Sequence, residues 1–155
     1  MTETHDVYLS GVRLPGNSRA WWTEGPWDDE PDILRWADER TGFPCIARRS
    51  RASFWCGYVG VGIEHPYYGL GYEDLEIDIH GGLSYAEACE ESPEGVCHFS
   101  EDGEARWWFG FDCGHIFDAA PSWNIPDLTE LGVYRDLAYV QAECSRLAMQ
   151  LEKLP

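Results

Sequence analysis

Two imidazoles, a thiol and a carboxylate make the densest set of reactive groups in this chain. His80 ends the run DLEIDIH, and Asp112, Cys113 and His115 fall within WWFGFDCGHIFD. A cysteine nucleophile needs a base within hydrogen-bond reach before it becomes a thiolate. Residues two apart seldom do this for one another, and Gly114 leaves the path between Cys113 and His115 open. If His80 comes alongside from a second element, the four residues form a site at a sheet edge. That site has two chemistries. An acid-oriented histidine would activate Cys113, or His80, Asp112 and His115 would hold a metal, since zinc accepts imidazole, thiolate and carboxylate. Neither has a diagnostic spacing, and a buried inert thiol with a turn histidine is the plainer alternative.

A second set suits ligand binding. Arg48, Arg49 and Arg51 interrupt an acidic chain, and with Tyr58, Trp107 and Trp108 they would offer charge-assisted bonds and stacking faces to a nucleotide or another small anion. A solvated loop balancing neighbouring acids accounts for the arginines equally simply. HGGL at 80–83 has the composition of an anion-binding loop, but also of a turn that needs glycine conformations. Cys97 with His98, and Cys89, lack the spacing of a zinc ribbon. No nucleotide, dinucleotide, serine-elbow or HExxH signature occurs, so no cofactor is named by a motif.

The elements that must position these groups are readable in outline. Residues 32–41, DILRWADERT, read as a short helix after Pro31, with Gly42 as its stop. Residues 52–66 read as a strand with both faces covered, its glycines at 57, 60 and 62 marking a bulge or a close approach. Leu75, Ile77 and Ile79 alternate with Glu76, Asp78 and His80 as in a half-buried strand. SYAE at 84–87 looks like a capping box opening a short helix through Glu91. In the strand around 104–113, Trp107, Phe109, Phe111 and Cys113 share one face and Arg106, Trp108, Gly110 and Asp112 the other. Val133, Leu137, Val140, Cys144, Leu147 and Leu151 line one stripe of a C-terminal helix, with Asp127 and Glu130 at its start. The fold class that follows is α+β: a mainly antiparallel sheet, free to curve strongly at its glycines, packed against a long C-terminal helix.

Size and charge limit the function. The 155 residues suit one domain, residues 1–155, with the Trp-, Pro- and Gly-rich segment 12–31 laid against it as an ordered loop. A formal charge of -17 disfavours direct binding to nucleic acid or anionic membranes. It also admits an acidic decoy that imitates DNA, although eight tryptophans exceed what such a decoy needs. Six cysteines without a CxxC pair, no secretory leader and no membrane span point to free thiols and a cytoplasmic setting.

Taken in order, CGYVGV (56–61), HGGLSYA (80–86), WWFGFDCGH (107–115) and YRDLAYVQAECSRLAMQL (134–151) resemble a family of small, acidic, uncharacterised bacteriophage and prophage proteins. The resemblance runs from Cys56 to Leu151 and carries over no catalytic residues. It implies a phage accessory protein that binds a host protein or a small anionic ligand, with inhibition of host defence as the outcome. The alternative from the residues themselves is a small hydrolase or transferase that depends on Cys113 or on a metal near His80 and His115.

Overall fold

A computed structural model of the chain describes residues 9–12, 19, 22, 24–50, 52–88, 96, 106–115, 118–121 and 132–153. Its centre is a six-stranded antiparallel sheet in the order β1-β2-β3-β4-β6-β5. The strands are β1 (Leu9–Val12), β2 (Ile33–Ala37), β3 (Pro44–Arg49), β4 (Trp55–Gly62), β5 (Tyr85–Ala88) and β6 (Arg106–Asp112). The helix α1 (Leu137–Lys153) packs across β4 and β3. A parallel pair, β7 (Asp118–Ala119) and β8 (Val133–Tyr134), lies outside the main sheet. The expected α+β architecture is therefore present. From β2 to β5 the ladder runs without a register break, and the sheet is not strongly curved.

Strand alternation divides the apolar residues between two faces. Leu34, Trp36, Cys45, Ala47, Trp55, Val59, Val61, Phe109, Phe111 and Cys113 meet Val140, Cys144, Leu147 and Leu151 of α1. Ile33, Ile46 and Trp108 form a second cluster on the other face with Val96, Tyr58 and Tyr85. Both faces of β4 are thus covered, and Trp107, Phe109, Phe111 and Cys113 of β6 share one face with Trp108 on the other, as expected. The glycines of β4 make no bulge, and Gly57 marks a close approach. A Cβ there would lie 2.5 Å from the Phe111 ring and 2.8 Å from Cys144 Sγ, so only glycine lets α1 settle this near the strand.

Several expected elements take another form. Residues 32–41 are not a helix: β2 pairs with β3 through all five of its residues, and Gly42, at φ +78°, belongs to the hairpin turn. Pairing with a neighbour strand outweighs local helix-end signals. Nor does SYAE open a helix, because Ser84 Oγ donates to Asp112 Oδ2 and Tyr85–Ala88 pairs with β6 as the edge strand β5. Residues 75–79 alternate in burial as expected, but they form no strand and join no sheet. Instead α1 satisfies the backbone of Asp78: Gln150 takes its N–H and donates to its carbonyl, which Arg146 also reaches. Val133 lies in β8 and is exposed, so α1 begins one turn later than its apolar stripe suggested. Asp136 caps it, Oδ1 accepting the Tyr139 N–H at 2.8 Å. Asp127 and Glu130 lie outside the described residues, as do Trp21, Arg51, Cys89, Cys97 and His98.

The start of α1 is tied to the N-terminal part of the chain by a buried ionic cluster. Arg49, fully buried, donates to Glu30 Oε1 at 2.9 Å, Tyr134 OH at 2.8 Å and the Ser53 carbonyl at 2.9 Å. Arg19 reaches the buried Asp32 at 2.7 Å, and Trp22 lies against both guanidinium groups. Glu30 Oε1 also accepts from Tyr134 OH, while its Oε2 accepts the Leu137 N–H at 2.7 Å. Two arginines thus face two carboxylates, as a buried charge requires. At the other end of α1, His65 Nε2 meets the Leu151 carbonyl at 2.9 Å.

Candidate functional site

The segment 75–79 delivers His80 to the first turns of α1. The His80 N–H donates to Glu143 Oε1 at 2.7 Å, and its Nδ1 lies 2.7 Å from Tyr139 OH. The chain then turns through Gly81 and Gly82, at φ +67° and +78°, so HGGL is here a glycine turn. Gly81 is also a contact surface: a Cβ would sit 2.3 Å from the His115 ring. His115 arrives from β6, whose ladder closes with the Cys113 N–H on the Trp55 carbonyl. Asp112 Oδ1 accepts the Gly114 N–H at 3.0 Å and turns the chain out of the sheet.

Asp118 joins the two histidines. Its Oδ2 lies 2.9 Å from His80 Nε2, 3.2 Å from His115 Nδ1 and 3.0 Å from the His115 N–H, while Oδ1 accepts from Arg135 Nε at 3.1 Å. The β7–β8 pair fixes this arrangement by setting Asp118 opposite Val133, two residues before Arg135. Burial pushes the Asp118 carboxyl up, but the bonds from His80, the His115 backbone and Arg135 outweigh it and leave the group lowered. A carboxylate only accepts, so His80 Nε2 carries a proton, and in the neutral ring Nδ1 accepts from the Tyr139 hydroxyl. Burial, with the Glu143 carboxylate behind it, raises the Tyr139 phenol and keeps that proton in place.

Two nitrogens and one oxygen from His80, His115 and Asp118 lie within 4.8 Å of one another. Across a tetrahedral ion with bonds of ~2.1 Å such atoms stand about 3.4 Å apart, a difference that rotation of the half-exposed His115 ring can absorb. Two imidazoles and one carboxylate leave coordination positions open, as in catalytic rather than structural sites. With an ion on Nε2 the His80 proton would move to Nδ1 and donate to Tyr139 OH, now 2.7 Å away, while the outer nitrogen of His115 faces Asp112 Oδ1 at 3.7 Å, beyond hydrogen-bond length. The same atoms without an ion make an acid-oriented histidine pair able to move protons.

The residues singled out from sequence therefore separate. His80 and His115 converge, with ring centroids 5.5 Å apart, and Asp112 stands beside His115. Cys113 turns into the core at 1% exposure, where burial and the nearby Asp118 carboxylate push its thiol up, opposite to what a nucleophile needs. Arg48 and Arg49 are neighbours on a strand and face opposite ways: Arg49 is spent on Glu30 and Tyr134, and Arg48 registers with Ile33 and Cys56 on the second face. Trp107 and Trp108 are split likewise, Trp107 donating to the Leu70 carbonyl on the α1 side and Trp108 joining Tyr58 in the second cluster. The five described members of the set expected to bind a ligand are thus divided between the two faces of the sheet, and Arg51 lies outside the described residues. A groove of about 370 Å³ lined by Phe43, Pro44, Glu64, His65 and Arg106 shares no residue with the histidine cluster.

Asp118, the last residue of WWFGFDCGHIFD and evident from sequence only as a nearby acid, completes the site with Arg135, Tyr139 and Glu143, which were not among the residues singled out. A signal for two of them exists: Tyr139, Glu143, Arg146 and Gln150 are spaced 4, 3 and 4 apart, a polar stripe running beside the apolar one. Every member of that stripe binds the segment ending at His80. No family model, curated protein or solved structure matches this chain.

Proposed function

We propose that the protein is a small metal-dependent hydrolase or transferase whose ion is held by His80, His115 and Asp118. The observation that carries this reading is the convergence of three donor atoms of suitable type within 4.8 Å, with one of the three ligands open to solvent. A divalent ion of the zinc class would supply Lewis acidity and a water activated near neutral pH. The residues do the rest. Asp118 divides its oxygens between the donor cluster and Arg135, Tyr139 holds the His80 ring, and Asp112 faces the outer nitrogen of His115. The phage setting implied by the sequence motifs remains part of this reading, with turnover in place of simple occupancy.

Titration of the metal-free protein with cobalt(II) or zinc(II), followed by elemental analysis after gel filtration, tests it. One equivalent is expected in the wild type and in Cys113→Ala, with binding lost in His80→Ala and Asp118→Ala. Tyr139→Phe should bind about 10-fold more weakly while staying folded, because only the orientation of His80 is removed. Wild-type protein that retains no stoichiometric ion at micromolar metal would overturn the proposal.

A further inference from the structure

Arg135 stands apart from the other well-anchored arginines in how it spends its nitrogens. Arg19, Arg49 and Arg146 each commit terminal guanidinium nitrogens to named acceptors. Arg135 commits only Nε, to Asp118 Oδ1, and its guanidinium carbon rests 4.9 Å from the centre of the Tyr139 ring. Neither terminal nitrogen bonds to a described residue, and the side chain is 27% exposed. The group is thus held in place while, among the described residues, its two terminal nitrogens remain unspent. That fork matches two oxygens of a carboxylate or a phosphate.

Its position decides what it would serve. Asp118 carries the fork's anchor on one oxygen and the two histidines on the other, so the donors and the ion position flank a single carboxylate. A ligand oxyanion reaching both would be gripped by a fixed cation and an ion at once, at little entropic cost because the guanidinium is already immobilised. The net charge of -17 works against a long polyanion, whose remaining charges would face carboxylates, and so favours a small molecule. Resting on the metal reading above, we infer that Arg135 anchors the substrate, and that the substrate is a small molecule carrying a carboxylate or phosphoryl group beside the bond that reacts.

Cobalt-loaded protein followed by visible absorption tests this, with inorganic phosphate, acetate and neutral acetamide as separate probes. At least one anion should shift the cobalt bands saturably while acetamide leaves them unchanged. A response to phosphate alone assigns a phosphoryl substrate, and one to acetate alone a carboxylate. Arg135→Gln should raise the apparent Kd of that anion at least 10-fold, with cobalt affinity measured separately in the same variant. Arg135→Lys, which keeps the charge without the fork, should fall between, and serves as the readout if the glutamine variant does not fold. Equal anion affinity in wild type and variants, or an acetamide response matching that of the anions, overturns the anchor and leaves the metal site standing. Failure of the wild type to take up cobalt overturns both.

Discussion

Asp118 holds the candidate site together because one buried carboxylate collects three donors on Oδ2 and a guanidinium on Oδ1. Its lowered titration has a consequence for acid stability. A carboxyl depressed by folding contributes stability that is fully present above the unfolded value of about 3.9 and is lost as pH falls through the folded value. Asp118→Asn removes that dependence, so its urea midpoint should fall less steeply than that of the wild type below about pH 4. Parallel curves from pH 7 to 2.5 would show that the donors do not hold this carboxylate. At this scale sequence was a partial guide. The pairing of His80 with His115 was legible because each ends a run of alternating residues. The bridging role of Asp118 was not, because Asp118 is placed beside His80 through the pairing of two-residue strands, β7 and β8, too short to leave a periodic pattern.

Elements with one self-contained period were the legible ones. The apolar stripe of α1 and the parities of β4 and β6 could be read directly, since burial follows local geometry there. β2 and β5 misled because their flanking Pro, Ser and Gly residues carry helix-end signals, whereas their conformation is decided by partner strands. The turn after His80 supplies an internal control. Gly81 and Gly82 both have positive φ, but only Gly81 has the His115 ring against it, while nothing lies within 4 Å of a Cβ at Gly82. Alanine at either position should cost about 1–2 kcal/mol by chemical unfolding, from the left-handed backbone alone. Ion binding should fall sharply in Gly81→Ala, which displaces His115, and stay near wild type in Gly82→Ala. Equal metal affinity in the two variants would separate the turn from the site.

Across the whole molecule, the sheet is clamped to α1 by apolar contact along the middle and by ionic contact at the start of the helix. Arg49, one of the arginines that suggested ligand capture, spends its terminal nitrogens on Ser53, Glu30 and Tyr134 inside this clamp. Replacing Arg49 with Met leaves Glu30 and Tyr134 without their buried cation, and the expected loss is about 3 kcal/mol or more in urea unfolding. A loss under 1 kcal/mol would mean that water reaches these groups and that the clamp is weak. The described thiols, Cys45, Cys56, Cys113 and Cys144, are free. Burial pushes Cys56 up to about 12, so it too stays protonated at neutral pH.

The reach of Glu30 to the first turn of α1 also bears on how the chain is made. The two groups lie 107 residues apart, which at about 5–20 residues per second is an interval of roughly 5 to 20 s on a ribosome. For most of that interval, once residue 62 has been made, β2, β3 and β4 have emerged with Arg49 beside Glu30, but the helix that roofs Trp55 and Val59 has not. The nascent sheet must wait with one greasy face uncovered, so yield during synthesis should depend on translation speed and on holdase chaperones more than the finished protein's stability would suggest.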